Sequence, residues 1–91
     1  GLLMLSRSAA LEYGPSNIRV NSVSPGLIDD GELTKRWPDG VERWLNANPL
    51  GRLGKPEDVA NTVTFLVSPM ADWITGSDFV VDGGMLSRPT W

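Results

Sequence analysis

Asn21-Ser22-Val23-Ser24-Pro25-Gly26-Leu27-Ile28 is the stretch on which the reading of this chain turns. It closes a β-branched run, Ile18-Arg19-Val20-Asn21-Ser22-Val23, and breaks it at Pro25-Gly26. Proline fixes φ and has no N–H to give to a ladder, so it does not continue a central strand. Glycine admits backbone geometry closed to other residues and lets another group approach the main chain. A strand that ends this way has two readings. It is a plain strand-terminating turn, or it is the carboxyl end of a strand in an open α/β sheet, where such sheets place their ligands.

Before this stretch, residues 1–13 are rich in Leu, Met and Ala and read as a helix, closed by Gly14 as its C-cap and stopped by Pro15. Apolar residues surround most of that helix, which predicts burial on more than one side, one against a sheet and one against a second helix. No N-cap residue precedes the apolar pattern, so the chain is expected to be a fragment cut inside a helix, with the missing remainder upstream. Ile18 to Ser24 reads as a strand.

After it, residues 27–50 form a long connection of the kind that serves as a lid or binding loop. Asp39 to Glu42 has the spacing of a capping box, and Val41, Trp44 and Leu45 share a face of the short helix that would follow. Trp37 and Trp44 either wall a pocket or anchor the connection to the core. Asp29 and Asp30 either bind hydroxyl groups of a polar substrate or stand in solvent. Pro49 to Gly54 is a hinge. Pro56 then opens a helix with Glu57 and Asp58 in its first turn, where they suit the macrodipole. Val59, Ala60, Val63, Leu66 and Val67 make its apolar stripe, and Phe65 falls opposite as a candidate subunit contact. Trp73 and Ile74 are expected to anchor the next turn. Asp78 to Asp82 is the second strand, stopped by Gly83-Gly84. The order is helix, strand, lid, helix, strand, with the strands parallel and joined by a right-handed crossover. Two parallel strands do not make a stable sheet alone, so further strands are expected outside this sequence.

The chain has 91 residues, a net charge of −3, no Cys and no His. That bounds it to one small domain at most. It removes disulfides, thiolate chemistry and the usual general base, and leaves no expected metal site. The mild acidity and scattered basic residues point away from nucleic acid and from anionic membranes. No apolar run reaches the roughly 18 residues of a membrane span, and a cytoplasmic location is expected. No Gly-x-Gly-x-x-Gly loop is present.

Six segments in register resemble the short-chain dehydrogenase/reductase family. They are Ala9-Ala10-Leu11-Glu12, the Asn21 to Ile28 stretch with its Asn-x-x-x-Pro-Gly pattern, Pro49 to Ala60, Phe65-Leu66, Ile74-Thr75-Gly76 and Val81-Asp82-Gly83-Gly84. The resemblance implies an α/β chain, residues 1–91, that is the C-terminal part of a doubly wound parallel-sheet (Rossmann) domain, with residues 27–50 as substrate lid. It implies NAD or NADP as cofactor of a parent enzyme acting on a small carbonyl or alcohol, with no binding expected of this stretch by itself. It also implies a homo-dimer or homo-tetramer. Pro25, Gly26, Leu27 and Ile28 would lie beside the nicotinamide, with the backbone of Ile28 binding its carboxamide. Asp30 stands where the family often has Thr, and a carboxylate there would repel the cofactor's pyrophosphate. Asp30, Trp37 and Trp44 are the candidate lid residues. The family's Ser, Tyr and Lys are not matched: the one Tyr is Tyr13, and four residues on stands Asn17. No catalytic residue is therefore assigned to this chain. A self-contained α/β interaction module without catalysis is the alternative reading.

Overall fold

The computed structural model describes residues 2–88. Helix α1 spans Leu2–Tyr13, strand β1 Ser22–Pro25, helix α2 Leu33–Arg36, helix α3 Pro38–Ala47, helix α4 Pro56–Leu66 and strand β2 Asp78–Val81. β1 and β2 pair in parallel, Ser22 opposite Asp78 and Pro25 opposite Val81. The expected order and strand direction both hold. The expected start of α1 at Gly1 lies outside the described residues.

The strand is shorter than its sequence suggests, and it includes Pro25. The ladder reaches that point through Gly26, whose N–H donates to Val81 O at 2.8 Å, so the missing N–H of Pro25 falls on the other edge. Residues 18–21 run beside the segment after α4 without a regular ladder. Val20 N–H goes to Thr75 Oγ1, and the Asn21 side-chain amide bridges Ile74 O and Ser77 N–H. Side chains thus replace part of the backbone pairing a strand would have made, and one backbone bond remains, from Gly76 N–H to Val20 O at 2.7 Å. Arg19 reaches across to the carbonyls of Leu66 and Ile74, at 2.8 and 3.2 Å, and so satisfies a carbonyl at the C-terminal end of α4.

Several local expectations are corrected. Gly14 does not cap α1; a short 3-10 turn, Gly14–Ser16, follows it, and Asn17 takes the left-handed conformation at φ 60°. The side of α1 that is buried carries Ser6 and Ala10, while Leu2, Met4, Leu5 and Leu11 are exposed. Small residues let this helix sit close to the chain beneath it: a Cβ on Gly76 would stand 3.3 Å from Ala10 Cβ. The inward face of α4 is Val59, Thr62 and Leu66, and Val63 is as open as Phe65, at 43% and 39%. Phe65 is therefore not set apart by exposure. Trp73, expected as an anchor, is 98% exposed, and Ala71 is the buried residue of that turn.

Candidate functional site

The connection between β1 and α4 is built from two helices. Pro38 opens α3, with Asp39 in its first turn. Asp39 is thus not an N-cap, and the capping box expected at Asp39 and Glu42 does not form. Proline at the first helical position fixes φ and surrenders only an N–H that has no partner there. Val41 and Trp44 are buried by the inward face of α3, and Leu45 is exposed. Trp37 lies over Gly40, where no Cβ would fit, and is itself 44% exposed.

Gly26 sits at the centre of this packing. A Cβ there would stand 2.8 Å from Trp44 Cη2 and 2.8 Å from Asp82 Cβ. The close approach that glycine allows at this position is made by the protein's own side chains, rather than by an open face for a ligand. Trp44 is then an anchor, and its indole N–H donates to Arg52 O at 3.1 Å. This tryptophan anchors the connection and also lines the cleft described below.

Beyond Gly26 the chain forms a single parallel bridge, Ile28 with Gly54. Gly54 N–H donates to Leu27 O and Asp29 N–H to Gly54 O, each at 2.9 Å. In this geometry the neighbours of Ile28 make the bonds, and its own N–H and C=O point away from Gly54. No hydrogen bond to either group occurs among the described residues. Gly54 is required by contact: a Cβ there would come within 2.5 Å of Ile28 Cδ1.

Asp30 does not face this edge as a free carboxylate. It accepts from Glu32 N–H at 2.9 Å and from Arg36 at 2.8 Å. The Glu32 N–H first, and then Arg36, hold its pKa below the ordinary carboxylate value. Asp29 accepts from Gly31 N–H at 2.9 Å, an Asx turn.

Sequence reasoning missed two residues that hold this site. Asn48 is buried; its amide donates to Asp82 O at 2.8 Å, and its carbonyl oxygen accepts from Leu50 and Gly51 N–H at 3.1 Å each. Asp58 accepts from Arg52 at 2.8 Å and from Lys55 N–H at 2.7 Å. The Arg52 bond, aided by the Lys55 N–H, pulls the Asp58 pKa from the ordinary 3.8 to about 2. The hinge from Pro49 was legible; that Asn48, just before it, reaches the residue after β2, 34 positions later, was not.

A cleft of about 680 Å³ lies on the Gly54 side of the bridge, lined by Leu27, Trp44, Asn48, Arg52, Asp58 and Val81 among others. Of the sequence-derived site residues, Leu27 and Trp44 face it. Pro25, Gly26 and Ile28 form the strand end beside it, and Asp30 and Trp37 stand apart, ahead of α2 and ahead of α3.

Residues 1–86 match the family described as enoyl-(acyl carrier protein) reductase. A 3-oxoacyl-[acyl-carrier-protein] reductase of Chlamydia trachomatis is 43% identical over 86 residues, covering 93% of this chain and 34% of the relative. A short-chain type dehydrogenase/reductase from Mycobacterium ulcerans superposes with TM-score 0.86 at 38% identity, over 98% of this chain and 33% of that one. The chain belongs to the short-chain dehydrogenase/reductase family. A 4-hydroxyisoleucine dehydrogenase complexed with NADH also superposes, with TM-score 0.81 at 37% identity, over 96% of this chain and 35% of that one. The fold is thus of the Rossmann type, and the family is one of nicotinamide-dependent oxidoreductases. The chain spans about a third of the length of these short-chain dehydrogenases. Among the described residues, no helix is long and apolar enough to cross a membrane.

Proposed function

We propose that this chain supplies the nicotinamide-side wall and the substrate lid of a larger NAD- or NADP-dependent oxidoreductase, one that passes hydride between nicotinamide and a carbonyl or secondary alcohol. One observation carries the reading: Ile28 presents a main-chain donor and acceptor with no partner among the described residues, at the carboxyl end of a parallel strand. A primary amide presents an NH2 donor group and a carbonyl acceptor in one plane, so the pair at Ile28 fits the carboxamide of nicotinamide. Pro25, exposed, and Leu27, half-buried, lie close to that pair along the chain and are apolar, as a flat ring requires. When bound, the nicotinamide supplies or receives the hydride; Pro25 to Ile28 orient its ring, and the lid, residues 27–50, covers the substrate. The proton-transfer groups come from the rest of the parent protein.

The same reading gives the whole protein a homo-oligomeric, cytoplasmic form. Its support is the exposed apolar surface of α1, where Leu2, Met4, Leu5 and Leu11 have no cover in this chain. The test is enzymatic. The intact protein carrying these residues is expected to reduce NAD or NADP with a panel of secondary alcohols, and the 91-residue chain alone is expected to be inactive. Turnover by the isolated chain above buffer, or a cooperative melt of that chain with an ordered near-UV signal, contradicts the proposal and favours a self-contained module.

A further inference from the structure

The bridge between Ile28 and Gly54 stands alone, outside the two-stranded sheet, and a single bridge is weak support for a binding edge. The structure reinforces it from below. Gly26 lies two residues before Ile28, and Arg52 lies two residues before Gly54. Trp44 touches both: its ring tip stands against Gly26, and its Nε1–H donates to Arg52 O at 3.1 Å. One rigid, buried side chain thus holds the two converging segments at the same distance from their bridge.

We propose that Trp44 is a positioning residue for the main-chain edge of Ile28, acting as a crosspiece that sets the direction of its N–H and C=O. The inference rests on the function proposed above and names what tunes that site. An indole suits the task because it has only two side-chain torsions and carries a donor at one end of an apolar body. The donor fixes the height of the Arg52 segment, and the ring fixes the Gly26 segment. A phenyl ring in its place keeps much of the packing and loses the donor, so the Arg52 to Gly54 segment is free to shift. A sub-ångström change there alters the angle at which Ile28 meets a planar amide, and hydrogen bonds weaken steeply with angle.

The experiment compares two cofactors in the intact protein: the dinucleotide with its carboxamide, and the deamido analogue bearing a carboxylate. The analogue has no amide donor for Ile28 C=O and sets a negative charge beside it. The wild type is expected to prefer the carboxamide in KM. Trp44→Phe is expected to lose about tenfold of that preference, the size of one hydrogen bond, with kcat on the natural cofactor less affected. Trp44→Leu is read in parallel, because it removes the donor and the ring tip while keeping an apolar side chain; it is expected to lose the preference as well, and it serves if the Trp44→Phe variant does not fold. Equal weakening toward both cofactors, with the preference intact in either folded variant, overturns the inference and leaves Trp44 a packing residue only. A wild type with no preference refutes the role of Ile28 itself, so the two failures are told apart.

Discussion

Residues 29–37 and residues 38–54 belong to the same connection between β1 and α4, yet different forces hold them. In the second stretch Val41 and Trp44 are buried, Trp44 and Asn48 reach backbone carbonyls, and Leu50 N–H donates to Gly83 O at 3.2 Å. In the first, the four-residue helix α2 is exposed save for a half-buried Leu33. Its side-chain ties are Asp30 with Arg36 and Glu32 with Lys35, on the surface. Exposed ion pairs of this kind contribute little to stability, because water and salt screen them. The connection expected from sequence to act as one piece is therefore two: a wall held to the sheet, and a lightly held flap.

The sharpest way to break that distinction is to truncate one tryptophan from each part. Trp44→Ala is expected to cost the intact protein about 3–5 kcal/mol in denaturant unfolding, as buried aromatic-to-alanine changes do. Trp37→Ala, at a half-open site, is expected to cost about 1 kcal/mol or less. Similar losses for the two would erase the difference between wall and flap. Asn48→Ala comes next. It removes the side-chain bonds to the Asp82 carbonyl and to the Leu50 and Gly51 N–H groups, which then rely on their backbone partners Met85 N–H, Gly83 O and the carbonyl of residue 48, and about 1–3 kcal/mol is expected to be lost. An Asn48→Ala variant as stable as the wild type would show that α3 is held by Trp44 alone.

How far the sequence carried the fold follows from which contacts are local. The parallel pair was legible because Val23 and the Phe79-Val80-Val81 run each declare a strand in a few residues. The opening of α4 was legible because Pro56, Glu57 and Asp58 sit side by side. The extent of β1 was not, since Thr75 Oγ1 and Ile74 O, which take the place of ladder partners for residues 20 and 21, lie over 50 positions away. Gly26 was correctly singled out for close approach, but the group that approaches is Trp44, from a helix whose placement no local pattern shows. The buried side of α1 misled for a related reason: closeness to its neighbour selects Ser6 and Ala10, and the larger apolar residues face outward.

A smaller effect sharpens the comparison at the hinge. Arg52 and the Lys55 N–H stabilise the charged form of Asp58, whose pKa falls from 3.8 to about 2 in the folded state. A depressed folded pKa stabilises the fold above the unfolded value, so this contribution is complete above about pH 4 and is lost as pH falls toward 2. Carboxyl NMR of the intact protein is expected to place the Asp58 midpoint near 2, and Arg52→Gln is expected to move it upward. A midpoint unmoved by Arg52→Gln would mean that the pair does not form in solution. The smallest effect on stability belongs to the flap. Asp30→Asn is expected to leave the melting temperature unchanged and to tighten NAD or NADP binding, more at low salt than at high salt. A clear drop in melting temperature would show that the flap is more firmly held than its exposure implies.

The central claim is that Ile28 offers its main chain to the carboxamide of a nicotinamide cofactor. The most direct test is to label the backbone amide nitrogen of Ile28 in the intact protein and follow its N–H through a titration with the dinucleotide. The account predicts a saturable downfield shift of the Ile28 N–H, with slowed solvent exchange, that the deamido analogue brings about only at higher concentration, since its carboxylate still accepts from the N–H but gives nothing to the Ile28 carbonyl. An Ile28 resonance that stays in place while the protein saturates with cofactor would contradict it.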